Sequence, residues 1–265
     1  MSYSLVTRPS SLLTCLMHRF HLPPERCVGG SLRLDGREAH HALHVLRLKR
    51  CEVATVLDGA GTEIHCAVHD VTRDSVALAV KDRKTTPPPP CSITLLVGVP
   101  KGKTIENIIQ KAVELGARRV VPLLTERVVM RLDERGRARK HEQWRQVAIE
   151  AIKQCGAAWL PEIETPTTIP EFRIPNSEFE LSLVGSLQPE RRPARDIFRE
   201  FEKVHGHQPK SVAVWIGPEG DFTQDELRVI QNSGAQPISL GPLTLRVETA
   251  AIYCLSILNH EWPSP

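Results

Sequence analysis

The chain has 265 residues, 41% of them hydrophobic and 25% charged, with a formal net charge of +3. This balance excludes a disordered polyelectrolyte and leaves room for one large or two modest globular domains with a real core. The small positive charge is compatible with an RNA partner without demanding one, and an aromatic content of 5% argues against bases stacked on an aromatic platform as the main mode of binding.

Residues 1–16 read as a loose N-terminal extension. Their apolar patch, Leu12–Leu16, is too short for a convincing signal peptide, and no apolar run in the chain is long enough to span a membrane. From residue 17 to 82 the pattern is that of a small β-barrel. Asp35–Lys49 carries Ala39, Leu43 and Leu46 on one helical face, and the short runs Val53–Leu57, Ile64–Val68 and Ser75–Val80 follow with turn residues between them. Lys81–Pro90 ends in four prolines, so residues 83–90 are expected to form a stiff linker that joins no sheet interior.

Residues 91–265 alternate strand and helix, which implies a mostly parallel sheet covered on both faces. The expected strands are Ile93–Val97, Val120–Leu124, Leu181–Val184, Ser211–Ile216 and Pro237–Leu240. The expected helices are Thr104–Leu115, Glu142–Gln154, Ala194–Glu202, one starting at Thr223, and Val247–Asn259. Thr223 and Glu226 have capping-box spacing. Glycine loops follow the last two strands, Gly217–Gly220 and Gly241–Pro242, at the strand ends where α/β sheets bind ligands. From pattern alone each is either a ligand loop or an ordinary turn.

Other constellations are weaker. Gly98–Thr104 lies between a strand and a helix but is one residue short of a P-loop, so Lys101 and Lys103 read better as a basic rim. Arg246 and Glu248 open the last helix, where free amides and the dipole favour an anion; the alternative is a surface arginine and a glutamate that complements the dipole. His40 and His44 are four residues apart, but no carboxylate or third histidine completes a metal site, and none is expected. With Arg47, Lys49 and Arg50 they form a basic face, either RNA-binding or merely solvated. Arg127, Arg131, Arg135, Arg137, Arg139 and Lys140 form a basic connection open to the same two readings. Seven cysteines, widely spaced and without a CxxC pair, suit a reducing cytosol better than a disulfide framework.

Several segments together resemble the RsmE family of the SPOUT superfamily, bacterial methyltransferases acting on N3 of a uridine in 16S ribosomal RNA. They are residues 41–47, Lys101 with 110–116, Thr125 to Arg127, 150–156, 216–220, Phe222 and Thr223 with Glu226, and 240–249. The resemblance runs from about residue 17 to the C-terminus. It implies an α/β protein with a PUA-like barrel and a SPOUT methyltransferase domain tied in a trefoil knot, a cytoplasmic homodimer that binds S-adenosylmethionine (SAM). The SAM-pocket positions would be Leu183, Val184, Gly185, Ile216, Gly217, Pro218, Glu219, Gly220, Leu240, Gly241, Leu245 and Arg246. Arg246 would stabilise the uridine anion and Glu248 would orient it or act as base. His41, His44, Arg47, Lys101, Lys103 and Arg127 would grip the RNA. The chain departs from the family pattern at Asp221, where a glycine is usual, at Leu243, where a basic residue is usual, and at Val247, Val128 and Cys51–Glu52. Another target nucleotide, or an RNA-binding protein with reduced catalysis, therefore remains the alternative.

Overall fold

The computed structural model describes residues 18–127, 132–172 and 179–262. Val128, Arg131 and the 1–16 extension lie outside them.

The N-terminal part is a five-stranded sheet, a curled half-barrel, in the order β1-β3-β4-β5-β2. Its strands are β1 (His18–His21), β2 (Ser31–Leu34), β3 (Val53–Leu57), β4 (Thr62–Val71) and β5 (Val76–Thr85). Only the β1–β3 pair is parallel. Two register shifts between β4 and β5, at His65/Cys66 and Val68/Asp70, add the local twist that curls the sheet. Phe20, Leu34, Val56, Ile64 and Leu78 fill its core.

Two expectations change here. The helix expected over 35–49 is a short α1 (Gly36–His40) that widens into a π-helical turn, His41–Val45, closed by Leu46 N–H donating to His41 O at 3.0 Å. Arg47, at φ 56°, then stops it. The stretch expected to be linker begins as strand: β5 runs through Thr85, with Arg83, Lys84 and Thr85 paired to Ile64, Glu63 and Thr62. The partner is the preceding strand of the same hairpin, but Arg83, Lys84 and Thr85 are polar and exposed, so no apolar alternation reveals the pairing.

The C-terminal part is a seven-stranded, all-parallel sheet in the order β10-β12-β9-β11-β6-β7-β8. Its strands are β6 (Ser92–Gly98), β7 (Arg119–Leu123), β8 (Glu162–Ile163), β9 (Leu181–Gly185), β10 (Arg192–Pro193), β11 (Ser211–Ile216) and β12 (Gln236–Ser239). The helices are α2 (Thr104–Glu114), α3 (Glu134–Cys155), α4 (Ala194–His205), α5 (Gln224–Asn232) and α6 (Val247–Glu261). The two-residue strand period divides the core between the two faces. Val212, Val214 and Ile216 face α2, α3, α4 and α6, while Ala213 and Trp215 face Leu227 and Ile230 of α5.

Helix α3 starts eight residues before the expected Glu142. Asp133 caps it by accepting the Gly136 amide at 2.8 Å, and Gly156, in the left-handed region, ends it. Arg135, Arg137, Arg139 and Lys140 therefore lie on a helix rather than on a connecting loop.

The two parts are joined through backbone as well as side chains. Leu160 N–H donates to Gly59 O at 2.9 Å, Gly61 N–H to Ala158 O at 3.0 Å, and the Trp159 indole to the carbonyls of Thr86 and Pro87. Lys153, on α3, donates to Glu38 of α1 at 3.0 Å, both side chains being largely buried. Among the described residues no helix is long and apolar enough to cross a membrane.

Candidate active site

Beyond the C-terminal ends of β9, β11 and β12 lies a cavity of about 300 Å3. Gly185 and Ile216, which end β9 and β11, and Leu240, just past β12, line it together with two loops: Gly217–Glu219 with Asp221, and Gly241 with Leu243–Arg246. Neighbouring parallel strands with loops of different length leave a crevice at that edge, which is why α/β sheets bind ligands there. Val247 and Ala250 of α6 close one side.

The first loop depends on its glycines and on its neighbours. A Cβ at Gly217 would lie 2.7 Å from Asp221 Oδ1 and 3.0 Å from Phe222 N, so any larger residue must push Asp221 and the loop backbone aside. A Cβ at Gly98, the last residue of β6, would lie 2.6 Å from Pro218, so that glycine lets the loop seat on the sheet. Glu219 Oε1 accepts the Lys101 amide at 2.9 Å, and the Arg127 guanidinium donates to Gly220 O. Glu226 works behind the loop. Its carboxylate is buried and accepts the amides of Thr223 and Glu126, each at 2.8 Å, and Thr223 completes the capping box of α5. The turns after β6, β7 and β11 are thus bonded to one another around the cavity.

The second loop leads into α6. Arg246 is its N-cap residue, exposed, with no side-chain cap bond, and it lines the cavity. The first amides of a fifteen-residue helix and its positive dipole end therefore lie beside a guanidinium. Such a site suits an anionic or electron-rich group.

The cavity thus gathers most of the expected pocket residues: Gly185, Ile216, Gly217, Pro218, Glu219, Leu240, Gly241, Leu245 and Arg246. Leu183 and Val184 do not line it; they are buried in the strand behind. Gly220 does not line it either, its carbonyl being taken by Arg127. Glu248 lies half-buried in the first turn of α6, outside the lining. Ser186, Leu187, Thr244 and Ala250 line it without having been singled out; they lie within two residues or one helical turn of recognised positions.

Lys101, Lys103 and Arg127 are exposed at the same edge, the first and last bonded to the Gly217–Gly220 loop. His41 and His44 lie on the π-helical turn of the other domain and Arg47 just beyond it, and none of them lines the cavity. Among the described residues no group of three or more His, Cys, Asp or Glu could hold a metal ion.

Fold and cavity agree with comparisons to known proteins. The family model described as an RNA methyltransferase domain matches residues 87–259, and that of an RNA methyltransferase PUA domain matches residues 34–81. Ribosomal RNA small subunit methyltransferase E of Aquifex aeolicus is 30% identical over 247 residues, covering 92% of this chain and 100% of its own. A Legionella pneumophila protein solved with bound cofactor SAM superposes with a TM-score of 0.82 at 32% identity, over 92% of this chain and 98% of its own. Ribosomal RNA small subunit methyltransferase E of Neisseria gonorrhoeae, solved with SAM, does so with a TM-score of 0.80 at 27% identity, over 93% of this chain and 98% of its own. The chain belongs to the ribosomal RNA small subunit methyltransferase E family.

Proposed function

We propose that this protein transfers a methyl group from SAM to N3 of a uridine in small-subunit ribosomal RNA. The observation that carries this reading is the cavity at the strand ends, walled by the Gly217 loop and opened by Arg246 at a helix N-terminus. Its lining fits SAM. Apolar Leu187, Ile216, Leu240 and Leu245 suit an adenosyl group, loop amides suit its ring nitrogens, and the Glu219 and Asp221 carboxylates suit its positive charge. When bound, SAM supplies a methyl group already activated on a sulfonium.

The chain's own residues then have a positioning task. Uridine N3 carries a proton and lies on the pairing edge, so the base must be unpaired to reach the site. Arg246 holds the negative charge that develops as the proton leaves. We assign Glu248 the role of orienting group or proton acceptor. Lys101, Lys103 and Arg127 meet the RNA backbone at the cavity rim, and His41, His44 and Arg47 meet it on the PUA-like domain. The same reading includes a trefoil knot in the C-terminal part, a homodimer and a cytoplasmic location beside the ribosome.

Calorimetric titration with SAM tests the cofactor site. Wild type binds; Gly217→Val, whose side chain would collide with Asp221 and Phe222, does not. Arg246→Ala lowers kcat by about 10²–10³-fold, the usual loss on removing one donor to a developing anion. Reverse-transcription stops on the product RNA locate the methyl group at N3. A wild type that fails to bind SAM at millimolar concentration sinks the reading.

A further inference from the structure

A second cleft, of about 620 Å3, lies at the opposite edge of the parallel sheet. It is lined by strand starts, among them Ser92, Arg119 and Glu162, and by the β3–β4 turn of the other domain at Asp58–Ala60. The strands separate it from the cavity of the proposed reaction by their own length, roughly 20 Å for six residues at about 3.3 Å each.

Its charges are unevenly satisfied. Arg119 is paired with Glu164 at 2.8 Å. Asp58 spends its Oδ1 on the amides of Ala60 and Thr62, at 2.7 and 2.8 Å. The third carboxylate, on Glu162, is exposed to water. Arg118 has no such partner. Its guanidinium lies over the Trp159 ring, 4.4 Å from the centroid, and its Nη1 is buried without a hydrogen-bond acceptor. Stacking covers the face of a guanidinium and leaves its in-plane donors unspent. A buried donor without an acceptor requires an explanation, and a bound anion is a good one. Arg145, half-buried on α3, and His141, one turn before it, face the same cleft, and no described side chain neutralises either. The excess positive potential is felt by His21 on the same wall, whose pKa is lowered first by burial and then by Arg145 and Lys153.

We propose that this cleft is a phosphate-binding subsite in which Arg118 and Arg145, assisted by His141, take one phosphate group. That group is either a link of an RNA backbone passing behind the sheet or a free phosphate. Only the RNA source rests on the methyltransferase reading. Phosphate is the fitting class because guanidinium donors match its oxygens in pairs.

The test uses the full chain, with Arg118→Gln, Arg145→Gln and the double variant. Inorganic phosphate is titrated at constant ionic strength, and a fluorescein-labelled oligouridylate is titrated across a salt series, with SAM affinity as the control for folding. The expected result is a loss of about tenfold or more in the double variant for at least one probe, with SAM affinity held within about twofold. Loss of phosphate binding identifies free phosphate as sufficient. Loss for the oligouridylate alone, with the log–log salt slope reduced by about 0.9 per missing contact, identifies the RNA backbone. Unchanged binding of both probes overturns the proposal. If Arg118→Gln also loses SAM binding through misfolding, Arg145→Gln decides by the same criteria. Failure of the wild type to bind SAM bears on the methyltransferase reading and leaves the phosphate arm intact, the urea-denaturation midpoint then serving as its control for folding.

Discussion

Asp221 stands in the left-handed region at φ 62°, where most L-residues cost about 1–2 kcal/mol. An aspartate tolerates it by bonding its own loop: Oδ1 accepts the Phe222 amide at 2.8 Å, and the Asp221 amide closes a turn onto Pro218 O at 2.8 Å. Asp221→Ala keeps the strained φ and loses the side-chain bond, so urea denaturation should show a loss of about 1–1.5 kcal/mol. Asp221→Gly removes the strain along with the bond and should stay within about 0.5 kcal/mol of wild type. A glycine, which the family resemblance leads one to expect here, would therefore have a backbone reason. The position stands out in the sequence; the carboxylate turned back onto the loop does not, because it depends on the local backbone. The cysteines give a second prediction at this scale. Burial pushes the thiols of Cys27 and Cys66 up to about 11 and those of Cys91 and Cys254 up to about 12. Cys51 and Cys155 are exposed. Among the described residues, brief maleimide labelling of the native protein followed by peptide mass spectrometry should find only those two modified.

At the scale of elements, the turns around the cavity hang on Glu226. Glu226→Ala removes one half of the α5 capping box and leaves the Glu126 amide without its acceptor. The first loss is worth about 0.5–2 kcal/mol and the second about 1–3 kcal/mol. A total near 3 kcal/mol, about 1.5 at the least, is expected from urea midpoints, and a loss below about 1 would mean that the tether is dispensable. The start of α5 was legible because Thr223 and Glu226 carry their own local signal. The start of α3 was not, because Gly136 and a run of arginines hide a cap made by Asp133. The last residues of β5 were hidden by the opposite cause, since Asp82–Thr85 are polar and exposed and owe their strand to pairing with β4. The strand-end loops were legible as punctuation in the chain. Which of their side chains enter the cavity was not, because that depends on how β9, β11 and β12 lie beside one another.

For the whole molecule, the contact between Lys153 and Glu38 couples the two domains. Their side chains are 6% and 12% exposed, so removing one partner strands a buried charge. Lys153→Ala should cost about 3–5 kcal/mol in urea unfolding, whereas Lys153→Met combined with Glu38→Leu should recover most of that. If the double variant is no more stable than the single one, the ion pair itself, rather than the stranded charge, sets the cost. Neither residue carries a mark in the sequence that joins it to the other; the pairing is a product of docking.

The central place of β11 has a consequence for how the protein is made. β11 lies between β6 and β9, with Ser211 opposite Ser92 and Ile216 opposite Val97. On the ribosome β6 can acquire β7 early, but its other edge must wait until residue 216 has been synthesised. At about 5–20 residues per second that wait is on the order of ten seconds. For that time the nascent chain displays an apolar strand with a row of unpaired amides, the kind of edge that recruits other strands. A message broken anywhere between β7 and β11 would release a sticky half-sheet, which makes the nascent chain a natural client for a chaperone at the tunnel exit.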